Sequence, residues 1–158
     1  MMFTLFQLKN CVPVSHAEHE ALCRVLDDYA KTSAGTWLNN VPYRGFTFKY
    51  CPAMKNSDVM GCWEPLFLNT VFLQPSDTPG PDPVAWIETI APTAIHELRH
   101  SWQYRKKPLA YIVCCLPGLR EITLERDAWK ITKTTETIVE NTLAWRQARR
   151  FEALRTEA

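Results

Sequence analysis

The sequence predicts an α+β domain in which a short antiparallel sheet follows one N-terminal helix and precedes a run of longer helices. Three observations predict it. A capping-box pattern opens a helical repeat at residue 15, two short apolar runs follow at 43–50 and 66–73, and apolar positions then recur near every 3.6 residues from 84 onward.

Ser15-His16-Ala17-Glu18 has capping-box spacing, and Leu22, Val25, Leu26 and Tyr29 continue it, so a first helix is expected from about Ser15 to Lys31. Gly35 and the Asn39-Asn40 pair end that unit. Tyr43 to Tyr50 and Leu66 to Leu73 read as strands separated by the turn-rich Pro52 to Gly61. Four prolines and Gly80 make Pro75 to Pro83 a loop. Asp82-Pro83 is a helix start, after which Val84, Ile87, Ile90, Ala91, Ala94, Ile95 and Leu98 hold helical period, with Pro92 expected to kink or restart the helix. Pro108 and Pro117-Gly118 interrupt the pattern, and the next helix is expected from about Leu119 almost to the end, with a weak point in the threonine-rich Thr132 to Thr137.

A chain of 158 residues, 46% hydrophobic, has enough apolar side chains for one core, so residues 1–158 read as a single domain. The 18 basic and 17 acidic side chains nearly cancel and are interspersed, which gives no strong sign of a nucleic-acid partner and none of a membrane. Arg146 to Arg155 is locally basic, but Glu152 and Glu157 make it a solvated helix face. None of the six cysteines has the spacing of a zinc knuckle or a redox pair, and Cys114 and Cys115 in the apolar run Ala110 to Leu116 read as small hydrophobes. The start lacks the features of a signal peptide, and no apolar run reaches the roughly 18–20 residues of a membrane span, so a soluble, cytoplasmic protein is expected.

The chemistry concentrates in His96-Glu97-Leu98-Arg99-His100. Histidines four apart on a helix lie about 40° apart around its axis, so both imidazoles can reach one ion. Glu97 is offset by about 100°, which suits it to accept a proton from water activated by the metal rather than to ligate. Ile95 and Leu98 are available to bury the back of this helix. Zn2+ is the expected ion, and a catalytic zinc needs a third protein ligand, for which no later histidine is available. Glu121 and Glu125, four apart on the next helix, are both candidates.

His96 to His100 together with Leu124-Glu125-Arg126-Asp127-Ala128-Trp129 resembles the paired motifs of the gluzincin zinc metallopeptidases, in which a ligand glutamate is followed three residues later by a small residue. The resemblance covers about the central third of the chain. It implies a small zincin-like domain with a short sheet, an active-site helix and a glutamate-bearing helix. It further implies His96, His100 and Glu125 as the zinc ligands, Glu97 as general base, and a protein or peptide as substrate. Arg99 and Trp129 depart from the family pattern, the first charged where an uncharged residue is usual, the second standing where relatives carry an Asp or Asn that supports the histidine. Asp127 or Glu121 is left as its substitute.

Peptide hydrolysis also needs a group to stabilise the oxyanion. Tyr104 and Tyr111 are the nearest candidates, with Tyr104 one turn beyond His100 and assigned the catalytic role. The strand Leu66 to Leu73 would pair with an extended substrate if it lay on the sheet edge. His16, His19, Glu20 and Cys23 form a second cluster that reads as the polar first turn of a helix with Cys23 in the core. The competing functions are a non-catalytic zinc-binding structural or interaction module, and a SprT-like protease acting near DNA. Glu97 argues against the first, since a structural zinc has no use for a base. The second lacks a basic or zinc-ribbon segment.

Overall fold

The computed structural model describes residues 10–55, 59–75, 83–116 and 119–133. The first helix, α1 (His16–Ala30), starts where expected because Ser15 closes both halves of a capping box: its hydroxyl accepts from the Glu18 N–H at 3.2 Å and its own N–H donates to the Glu18 carboxylate at 2.7 Å. Leu22, Val25, Leu26 and Tyr29 form its buried stripe. Each such side chain contributes about 1.5–3 kcal/mol on burial, which outweighs the cap in fixing α1 to the rest of the core.

Four strands form one sheet: β1 (Val12–Pro13), β2 (Thr47–Tyr50), β3 (Gly61–Trp63) and β4 (Thr70–Leu73), in the order β1-β2-β4-β3. The expectation of an antiparallel sheet is corrected: β1–β2 and β3–β4 are antiparallel, but β2–β4 is parallel, with Phe48 opposite Val71. The cause is an unexpected strand, β3, between the two expected ones, which begins at the last residue of the stretch read as turns. After β2 the chain places β3 at the far edge, then turns back through a 3-10 turn at Pro65–Phe67, so that β4 enters between them in the direction of β2. Both expected strands also begin late, because Tyr43–Gly45 and Pro65–Phe67 form 3-10 turns.

Strand alternation divides the sheet into two faces. Phe48, Trp63, Val71 and Leu73 join the main core with α1 and the second helix, while Cys62 and Phe72 pack with Cys51 and Met54 on the other face. A disulfide links Cys11 to Cys51, a pairing that the cysteine spacing does not reveal.

The second helix, α2 (Pro83–Lys106), begins at the expected proline and passes through Pro92 without the expected restart. Its Ala91, Ala94, Ile95 and Leu98 are fully buried. This packing on both sides of Pro92 outlasts the single backbone hydrogen bond that a proline removes. A short α3 (Pro108–Cys114) follows, and α4 occupies residues 119–133, including a π-helical turn at Glu121–Glu125. Thr132 lies within α4, and the rest of the threonine-rich stretch, 134–137, lies outside the described residues. The chain beyond residue 133, which includes the basic stretch Arg146 to Arg155, and residues 76–82 of the expected loop Pro75 to Pro83 lie outside the described residues. Among the described residues, no helix is long and apolar enough to cross a membrane.

Candidate metal centre

Helix α2 presents His96 and His100 from one face, and α4 brings Glu125 across to meet them. The two Nε2 atoms are 3.2 Å apart, and the Glu125 carboxylate spans the pair, with Oε2 at 3.2 Å from His96 Nε2 and Oε1 at 3.5 Å from His100 Nε2. One ligand atom from each residue lies within 4.8 Å of the others. A tetrahedral zinc bonded at about 2.0–2.1 Å separates its ligand atoms by about 3.3–3.4 Å, so the spacing of this donor set fits such an ion.

Both imidazoles are oriented by bonds at their other nitrogen. The Thr132 hydroxyl donates to the Ala128 carbonyl at 3.0 Å, so its oxygen accepts from His96 Nδ1–H, also at 3.0 Å. Gln103 donates through its amide nitrogen to the Leu124 carbonyl at 3.2 Å and to Asp127 at 2.8 Å, which leaves its oxygen to accept from His100 Nδ1–H at 2.9 Å. These assignments follow from satisfying the network. Each histidine thus keeps Nε2 free to bind a metal ion.

The two departures from the family pattern have local explanations. Arg99 makes a two-pronged pair with Asp127, at 2.7 and 3.2 Å, and lies over Trp102 at 3.9 Å from the ring centre, tying α2 to α4 beside the candidate ligands. Burial alone would raise the Asp127 carboxyl, but the bonds from Arg99 and Gln103 outweigh it and hold it below the ordinary carboxylate range. Asp127 therefore supports His100 through Gln103, while Thr132 takes the direct role at His96. Trp129 is 55% exposed and its ring meets His96 at 5.1 Å.

Arg120 is a site residue that the sequence reading missed. Its Nε donates to Glu125 Oε1 at 3.0 Å. In an α-helix residues five apart point about 140° from each other, and the wider π turn between them brings Arg120 and Glu125 together. Burial raises the Glu125 carboxyl, but His100, His96 and Arg120 more than reverse this and keep it ionised.

Glu97 is buried beside this cluster. Desolvation raises its carboxyl above the ordinary range, against the opposing pull of His100 and His96. Burial likewise pushes the neighbouring Cys62 thiol up, and Cys62 donates to Glu64 at 3.6 Å, so it is a neutral thiol.

Tyr104 packs its ring against Trp63 and Tyr111, each at 5.6 Å, and it is Tyr111 whose ring meets His100, at 6.4 Å. His19 donates to the Phe46 carbonyl at 3.1 Å and faces Cys23 at 3.8 Å, with Cys23 in the core, consistent with a structural role for that cluster. Compared with known proteins, the chain has no significant match to a family model, a curated protein or a solved structure.

Proposed function

We propose that the chain is a zinc-dependent metallopeptidase of the gluzincin type, with His96, His100 and Glu125 as ligands and Glu97 as general base. The observation that carries this reading is the convergence of the three donors with a buried carboxylate, Glu97, that is not among them. A structural ion needs only ligands. Bound zinc would supply the Lewis acid that activates water and polarises the scissile carbonyl.

Glu97 takes the proton from the attacking water and returns it to the departing amine. Its raised pKa suits both steps, because a group that titrates nearer the working pH is a better acid once it has served as base. Arg120 holds the Glu125 carboxylate in place and adds a positive charge beside the donor set. An extended substrate would add to β3, the edge strand that packs against α2, and not to the strand from 70 to 73, which lies inside the sheet.

The test is Glu97→Gln, which keeps shape and removes basicity. Zinc content and melting temperature should stay near wild type while cleavage of an unstructured protein falls by two or more orders of magnitude, since general-base catalysis contributes about 10²–10⁴. Equal cleavage by both proteins would place hydrolysis elsewhere. A wild type that holds zinc and cleaves nothing in a broad peptide library would be a scaffold.

A further inference from the structure

We infer that Gly61 is a positioning residue for Glu97: the missing side chain on the edge strand makes the space in which the carboxylate lies. A Cβ at Gly61 would stand 2.6 Å from Thr93 Cγ2, 3.0 Å from Glu97 Cγ and 3.2 Å from Glu97 Oε1. Carbon atoms pack best at about 3.5–4.0 Å, so the first contact is a collision and the other two are tight. Thr93 lies one turn before Glu97 on α2, and the three residues therefore form a single contact between strand and helix.

The scaffold on either side resists separation. β3 is bonded to β4 through the Gly61–Leu73, Cys62–Phe72 and Trp63–Val71 pairs, and α2 is anchored in the main core by Ala94, Ile95 and Leu98, all fully buried. The Thr93 methyl sits on a β-branched side chain with few rotamers. Glu97, with its longer chain, is the part that yields. Among the described residues no donor bonds its carboxylate, so packing against Gly61 and Thr93 sets where it lies.

This inference rests on Glu97 being the base beside the ion, and its test is built to separate the two ideas. Gly61→Ala, alone and with Thr93→Ser, which deletes the colliding methyl, is compared with wild type and Glu97→Gln. The readouts are zinc content, the visible spectrum of the cobalt-substituted protein, and kcat and KM on an unstructured protein substrate. Gly61→Ala should keep its metal and its KM while kcat falls by about 10- to 100-fold, the scale expected for a displacement near 1 Å. Its cobalt spectrum should shift, as the Glu97→Gln spectrum should, and Gly61→Ala/Thr93→Ser should recover part of both the spectrum and kcat.

An unshifted cobalt spectrum with wild-type kcat in Gly61→Ala would overturn the inference. So would loss of metal and of kcat that the Thr93→Ser change does not recover. If wild type binds metal but cleaves nothing, the peptidase reading fails while the cobalt spectra still decide the role of Gly61. Should Gly61→Ala fail to fold, the double variant, free of the 2.6 Å contact, carries the same measurements.

Discussion

The Thr132 hydroxyl accepts a 3.0 Å hydrogen bond from Nδ1 of His96, across 36 residues of sequence, and in doing so leaves Nε2 of that histidine for a metal. Replacing Thr132 with Val keeps the shape and removes the acceptor. Zinc affinity should fall by about 10- to 100-fold, the usual cost of losing a partner behind a ligating histidine, and Thr132→Ser should restore most of it. Chelator competition measures both. An unchanged affinity in Thr132→Val would mean that this bond does not orient His96.

Glu125→Ala should weaken zinc binding far more than Glu121→Ala, because Glu125 places an oxygen near each of the two histidine nitrogens. The same competition assay ranks the two variants. The reverse order would move the ligand one helical turn along α4.

Zinc affinity should fall steeply as pH drops. Burial would lower the His100 pKa, but the Glu125 carboxylate bonded to it and the Glu97 charge outweigh burial and raise it above the ordinary histidine range. A raised pKa means that metal-free His100 keeps its proton to higher pH, so zinc must displace that proton. Below the raised pKa the apparent affinity should weaken about tenfold per pH unit, with proton release visible by calorimetry in two buffers of different ionisation enthalpy. An affinity flat from pH 8 to pH 5 would show that His100 is not a ligand.

Asp127→Asn should lower stability by about 1 kcal/mol, the scale of a half-exposed ion pair with additional hydrogen bonds, by weakening the Arg99 clamp between α2 and α4. Because the Asp127 carboxyl is held below its ordinary range, its contribution is full above the unfolded pKa and is lost as pH falls through the folded one. The difference between wild type and variant in denaturant melts should therefore be present at neutral pH and shrink in strong acid. A constant difference would assign it to packing.

What the sequence displays well is local. The i, i+4 histidines, the buried Ile95 and Leu98 behind them and the Ser15 cap are all written within a few residues, and each appears in the structure as expected. The α+β class was legible for the same reason. The parallel pairing of β2 and β4 was not, because β3 is three residues long and only begins where a stretch rich in turn formers ends. Gly61, Gln103, Arg120 and Thr132 act through contacts between separate elements or, for Arg120, through a π turn that shifts the helical phase. Two of them left a signal: Gln103 is three residues after His100, and Thr132 is seven after Glu125, so each shares a face with a candidate ligand.

The most direct test of the zinc centre is the metal content of purified protein by elemental analysis, for wild type and for His96→Ala/His100→Ala. The account predicts about one zinc per chain in wild type and essentially none in the double variant, since one carboxylate is left of three ligands. Well-folded wild-type protein that holds no zinc after dialysis against trace zinc would contradict it.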